Sequence, residues 1–323
     1  MPHFSRRTLL NTALAVCALP VSAQSPAAPE KPVPAPTIPG PDPRTKTPAF
    51  KLPPKACDAH CHIFGPASVY PYAAKRSYTP PDAGLADFIA LHKKIGVERA
   101  VIVNATVHGR DNRPVTDAIA EGKGAYLGVA NVDETFTAKA LRDLHDQGIR
   151  GCRFTFVRRL GNIPTKELFD TVIARIRPLG WHVDLYFEPQ DIAEFMPMLD
   201  ALPLPFVIDH MGGCRAADGL AQKPLELLVG LLKRNDRAWM KITGPERASA
   251  TGAPFKDAGP IAQALIAAAP DRMLWGTDWP HPNVKAMPND GDLVDLVPLY
   301  APDEKVRHKL LVDNPAQFFG FGG

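Results

Sequence analysis

The strongest constraint on this chain is a rhythm that starts near residue 56. Short apolar runs of strand character alternate with longer runs of helical character. The strand-like runs are Ala56–His60, Ala100–Asn104, Tyr126–Asn131, Gly151–Phe156, His182–Phe187, Phe206–Asp209, Ala238–Ile242 and Met273–Gly276. Between them, Leu85–Lys94, Ala138–Gln147, Thr165–Arg177, Asp191–Leu199, Pro224–Lys233 and Gly259–Ala269 space their apolar residues as amphipathic helices do. A helix between two strands returns the chain to the same end of the sheet, so the strands are expected to be parallel. Eight parallel strands close into a (β/α)8 TIM barrel, an α/β fold with a single catalytic domain. An open doubly wound sheet expects a Gly-rich phosphate loop after its first strand. Here that strand runs into His60-Cys-His62 instead.

The chain is longer than a barrel requires, and the excess lies in front of it. Residues 1–23 combine Arg6-Arg7, an apolar run from Thr12 to Leu19 and the small-residue exit Val21-Ser-Ala23. That is the layout of a cleavable export signal, and the run is too short to anchor the mature protein in a bilayer. Ser5-Arg-Arg-Thr-Leu-Leu10 resembles a twin-arginine signal, which implies a bacterial periplasmic address. Residues 24–54 hold eleven prolines and are expected to be an extended, mobile linker. Residues 55–323 then form the barrel. The net charge of +3 calls for neither nucleic acid nor, after processing, a membrane surface as partner. Cys57 and Cys61 are too far apart on one strand to bridge, and Cys57, Cys61, Cys152 and Cys214 are expected as buried thiols. The oligomeric state is left open.

Barrel enzymes place their chemistry at the C-terminal ends of the strands. Four candidates pass that filter. His60 and His62 close the first strand, and residues two apart face the same side. His210 follows the sixth strand and Asp278 follows the eighth. One carboxylate among three imidazoles can activate water and polarise a carbonyl. Arg153, Arg159 and Arg247 fall at the ends of the fourth and seventh strands or in the loops beyond, where guanidinium forks suit a substrate carboxylate.

Asp58-Ala-His-Cys-His62, Asp209-His-Met-Gly212 and Trp275-Gly-Thr-Asp-Trp-Pro-His281 resemble the amidohydrolase superfamily. Tyr70-Pro-Tyr72, Ser77-Tyr78, His108-Gly-Arg-Asp-Asn112, Gly151-Cys-Arg-Phe154 and Val312-Asp-Asn-Pro315 extend the likeness. They make it most similar to the branch of 2-pyrone-4,6-dicarboxylate lactonases and related dicarboxylate or sugar-acid lactonases, from about Lys55 to Phe319.

The resemblance implies opening of an anionic lactone without metal. Asp278 would be the general base, His60, His62 and His210 would polarise the carbonyl, and Tyr78 and Tyr186 would join the arginines on a substrate carboxylate. The superfamily also contains zinc enzymes. A two-metal site would place a lysine where Arg153 stands, and the fifth strand offers Glu188 rather than a histidine at its far end. A single divalent zinc would fall to His60, His62 and Asp278, with His210 or Glu188. The branch's arginine after the sixth strand is replaced by Gly213, with Arg215 as the nearest candidate. Two other functions stay open: a zinc-dependent amidohydrolase or decarboxylase of a small carboxylic acid, and a binding protein on an enzyme scaffold.

Overall fold

The computed structural model describes residues 35–160 and 163–322, so the expected export signal and residues 24–34 lie outside the described residues. Among the described residues the strands are β1 (Cys57–Cys61), β2 (Arg99–Val103), β3 (Tyr126–Ala130), β4 (Ile149–Thr155), β5 (His182–Tyr186), β6 (Phe206–Ile208), β7 (Ala238–Ile242) and β8 (Met273–Trp275). They form one parallel sheet in sequential order, the expected (β/α)8 barrel. Around it lie helices α1 (Leu85–Ile95), α2 (Arg113–Glu121), α3 (Ala138–Asp146), α4 (Lys166–Ile176), α5 (Ile192–Ala201) and α6 (Lys223–Arg234). The short α7 (Pro245–Ala248) follows β7, α8 (Gly259–Ala268) precedes β8, and α9 (Asp290–Asp295) opens the C-terminal segment. Beyond it come α10 (Val297–Tyr300), α11 (Glu304–His308) and α12 (Asn314–Phe319).

Strand ends shift from the expected bounds by a residue or two, the usual scale of fraying. The sequence reading passed over α2, the short α7 and the helices after α8. α2 starts at Arg113-Pro114, and Val115 and Ile119 are its only large aliphatic residues. α9 to α12 are too short to build a helical period.

The core has two parts. The larger lies between the strands and the helices. The smaller fills the lower barrel with Cys57, Ala59, Val101, Val129, Val207, Trp239 and Leu274, closed from below by Phe319. His182 sits at this lower end, with its ring 4.7 Å from that of Phe318. Cys57, Cys61, Cys152 and Cys214 are buried and unbridged, as expected.

The linker expectation needs correction. Residues 35–54 do not hang free but lie as a strap against the barrel. Thr37 bridges Thr79. Lys46 N donates to Asn289 Oδ1 at 2.9 Å, Phe50 N donates to Asp295 Oδ1 at 2.8 Å, and Lys46 Nζ pairs with Asp292 at 2.6 Å. Proline removes ladder donors, but the few N–H groups left between prolines found acceptors on and beside α9.

Candidate active site

The site is built where the barrel closes. Asp278 N donates to His60 O at 2.8 Å, and His62 N donates to Trp279 O at 2.7 Å. Asp58 tightens this seam. Its Oδ1 accepts from Thr277 N at 3.0 Å and His60 N at 3.1 Å, and its Oδ2 accepts from the Thr277 hydroxyl at 2.5 Å. His92 of α1 approaches the same carboxylate at 3.2 Å, so Asp58 points outward. Ala59 nevertheless packs inside the barrel, and His60 also faces inward. A register shift between Asp58 and Cys61 accounts for it, because a bulge re-aims the residue after it.

Gly276 permits the close approach. A Cβ there would lie 2.6 Å from His60 N and 2.8 Å from Asp58 Oδ1, both fixed atoms. Gly276→Ala is therefore expected to destabilise the fold by about 1–3 kcal/mol through overpacking, read from urea unfolding. Wild-type stability in that variant would contradict the rigid seam.

All four residues expected in the mouth meet there, and all are buried. His60 Nε2 and His62 Nε2 lie 3.5 and 3.2 Å from Asp278 Oδ1. The His60 and His210 rings stand edge to face at 4.8 Å. His62 Nδ1 donates to Val103 O at 2.7 Å, and His210 Nδ1 meets the Thr243 hydroxyl at 2.9 Å. His210 and Asp278 take left-handed backbone angles, φ 52° and 65°. Non-glycine residues seldom do so, and such strain gathers at functional sites.

The site's charges are strongly shifted. Burial, aided by the Lys241 charge, takes His60 down to about 4, and burial drives His210 well below the usual histidine range. Burial works against ionising Asp278. Its neighbours His210, Arg247 and His62 more than offset that and hold the carboxylate well below its ordinary range.

The arginines reach the mouth already partnered. Arg153 Nε and its NH2 nitrogen donate to Asp209 Oδ2 at 3.0 and 2.9 Å. Arg247 donates to Asp278 Oδ2 at 2.7 Å and to Pro282 O at 2.8 Å, and it lies 3.3 Å from Glu246. Arg159 is half exposed, between the Tyr186 hydroxyl at 3.2 Å and Glu188 at 3.5 Å. Arg153, Arg159 and Arg247 line an open cleft with Tyr78, Tyr186, His62, His210 and Asp278.

Two expectations fail here. Glu188 serves Arg159 and Gln190 and stays outside every buried ligand cluster among the described residues. Arg215 pairs with Asp218 at 2.8 Å on the surface and does not line the cleft, so it does not replace the arginine missing at Gly213. Gly213 itself has φ 70°, and a Cβ would meet Pro189 Cδ at 2.9 Å, so the position disfavours any side chain.

Sequence reasoning also missed a buried layer beneath the mouth. Lys241 of β7 is fully enclosed, with Nζ 2.5 Å from Asp184 Oδ2, 3.3 Å from Asp209 Oδ1 and 2.9 Å from His60 Nδ1. His182 meets the other oxygen of Asp184 at 3.1 Å. The filter of strand ends excluded Lys241 and Asp184 because both lie inside strands. The signal was a charge within an otherwise apolar run, which must find a partner when buried.

As possible ligand sets, His60, His62 and Asp278 bring donor atoms within 4.8 Å of one another, and so do His60, Asp209 and His210. The shells around the two histidines of the first set differ. His62 has a carbonyl behind it, as a metal-binding histidine usually does. His60 has the Lys241 ammonium instead, and Asp278 is capped by a guanidinium.

Comparison with known proteins agrees with this fold. The chain is 43% identical over 281 residues to a 2-pyrone-4,6-dicarboxylate hydrolase of Comamonas testosteroni, covering 84% of this chain and 92% of that one. It is 42% identical over 289 residues to a 4-sulfomuconolactone hydrolase of Rhizobium radiobacter, covering 88% and 96%. A crystal structure of a probable 2-pyrone-4,6-dicarboxylic acid hydrolase from Acinetobacter baumannii, with citric acid bound, superposes with a TM-score of 0.73 at 25% identity, covering 83% of this chain and 100% of that one. The family model described as amidohydrolase matches residues 57–321. With its sheet, its paired histidines and its strand-end aspartate all in place, this chain belongs to the amidohydrolase family.

Proposed function

We propose that the protein opens a lactone that carries a carboxylate or sulfonate, by attack of water and without a bound metal. One observation carries the reading: three arginines and two tyrosines ring the same cleft that holds Asp278 and the histidines. The relatives' substrates, a pyrone dicarboxylate and a sulfonated muconolactone, are anionic ring esters.

In this reading the substrate anion engages Arg247 and Arg153, with Arg159, Tyr78 and Tyr186 around it. Taking up Arg247 loosens its hold on Asp278, whose carboxylate then accepts the proton of the attacking water. The water oxygen bonds to the ring carbonyl carbon, and the carbonyl oxygen gains the negative charge. His60, His62 and His210 surround that oxygen and stabilise it by hydrogen bonding. The carbonyl re-forms as the ring C–O bond breaks, and the ring oxygen leaves with the proton that Asp278 took from the water, which returns Asp278 to its carboxylate form. A ring ester has a better leaving group than an amide and needs less electrophilic assistance.

The cations around the ligand set fit an anionic substrate better than a dication. Lys241 donates toward His60, and Arg247 occupies Asp278. One observation favours the zinc alternative, a decarboxylase or other amidohydrolase: the carbonyl behind His62. The test is a pH-stat screen of the purified mature protein with carboxylated and sulfonated lactones, with and without EDTA. Ring opening that survives the chelator is expected. Failure to open any of these lactones would sink the substrate class. Activity lost to EDTA and restored by zinc would sink the metal-free part. The same reading places the mature protein in the periplasm. Cell fractionation should recover it there, and substitution of Arg6-Arg7 by Lys-Lys should retain it inside.

A further inference from the structure

We propose that Lys241 fixes the tautomer of His60, and that this one buried amine keeps the His60–His62 pair from acting as a metal-binding pair. The inference concerns the site just described and rests on His60 acting there as a hydrogen-bond donor.

An ammonium has three protons and no lone pair. Lys241 Nζ has three acceptors around it: Asp184 Oδ2 at 2.5 Å, Asp209 Oδ1 at 3.3 Å and His60 Nδ1 at 2.9 Å. Two of these contacts are hydrogen bonds, to Asp184 and to Nδ1 of His60, and Asp209 is an ion-pair neighbour; an ammonium can only donate, so Nδ1 of His60 accepts. Asp209 Oδ1 also lies 3.2 Å from that nitrogen, but it takes no hydrogen bond from the ring, and its charge is balanced by Lys241 and by Arg153 on Oδ2. In this layer two cations, Lys241 and Arg153, face two carboxylates, Asp184 and Asp209.

With its Nδ1 lone pair accepting from Lys241, neutral His60 carries its proton on Nε2. That nitrogen is buried and has no hydrogen-bond partner within the protein. It is held in the mouth as a donor awaiting an oxygen, the role the hydrolytic reading gives it. The same proton blocks coordination, because a metal needs the Nε2 lone pair. His62 differs: its Nδ1–H donates to Val103 O, so no cation behind the ring forces a proton onto the Nε2 that faces Asp278 Oδ1 at 3.2 Å. A two-histidine ligand pair needs both lone pairs, and Lys241 removes one. Lys241 thus acts through His60 as a positioning residue.

Removing the amine should reverse the ring. In Lys241→Met, Asp209 is the remaining neighbour of Nδ1 and accepts its proton, so Nε2 of His60 becomes a lone pair beside those of His62 and Asp278. The experiment uses full-length mature protein labelled with ¹⁵N-histidine. Long-range proton–nitrogen correlation spectra read the tautomer of each ring, with His60→Gln providing the assignment, and zinc affinity is measured by competition with a chelating dye.

Wild type should show a pyridine-like Nδ1 and a pyrrole-like Nε2 for His60. Lys241→Met should exchange them and bind zinc about 10–100-fold more tightly, the range an outer-shell partner commands. A wild-type His60 protonated on Nδ1 overturns the proposal whatever the variants do. So does a folded Lys241→Met that binds zinc no better than wild type. If that variant does not fold, Lys241→Met/Asp184→Asn restores the charge balance and is judged by the same zinc measurement. Because the tautomer is read without substrate, a failure here is distinct from a failure to open lactones.

Discussion

Replacing Asp278 by Asn is expected to lower kcat by about 10²–10⁴-fold, the span a positioned general base supplies. The substitution isolates the chemistry. Asn has the shape of Asp and tolerates the left-handed backbone that this position requires, φ 65°. It can still accept from Arg247 through its amide oxygen, but it cannot take a proton from water. Circular dichroism of the variant should match wild type while turnover on the active lactone collapses. Retention of more than a tenth of wild-type kcat would remove Asp278 from the role of base.

Replacing Arg247 by Met should have two effects that separate. The first is on binding. A hydrogen bond to a charged group contributes about 1.5–3 kcal/mol, so KM for an anionic lactone should rise by about 10–150-fold. A matched neutral lactone should be affected far less. The second is on pH dependence. Burial pushes the Asp278 carboxyl up, and the cations around it, Arg247 among them, pull it well down. Removing one of them moves its pKa upward. The acidic limb of the kcat/KM profile should therefore shift to higher pH in the variant. An unchanged KM together with an unchanged limb would contradict both the anion-binding role of Arg247 and its grip on the base.

The barrel and the four central residues were legible for the same reason. Strand-end position is written in the sequence, because an apolar run followed by His or Asp marks the place where a buried strand emerges. What escaped was the second dimension of each strand, its alternation. Counting back by two from Thr243 gives Lys241 and then Trp239; from Tyr186 it gives Asp184 and then His182. All of these point inward, in layers from the mouth to the floor of the barrel. The bulge in β1 was not legible at all, because it depends on pairing with a neighbour strand. Nor did sequence reveal that Arg153 and Arg247 would enter the mouth already bound to Asp209 and Asp278. That follows from which side chains the closed barrel sets opposite one another. The proline-rich segment misled for a different reason. Proline content describes what the segment cannot do for itself, while its docking depends on acceptors about 240 residues further along the chain.

That docking has a consequence for the order of events. The strap joins Thr79, next to Tyr78 of the cleft wall, to the neighbourhood of α9. α9 in turn supplies Asp290, which holds His281 at 3.0 Å just beyond Asp278. An N-terminal segment therefore braces two separate walls of the mouth. It can seat only after nearly the whole chain has emerged and α9 exists, so it belongs among the last pieces to zip during folding. By the same token it should be among the first to open in the native state, since its few hydrogen bonds lie at the surface. Amide exchange at Lys46 and Phe50 would then run well ahead of exchange in the strands, and would serve as a clock for the loosening of the cleft above them.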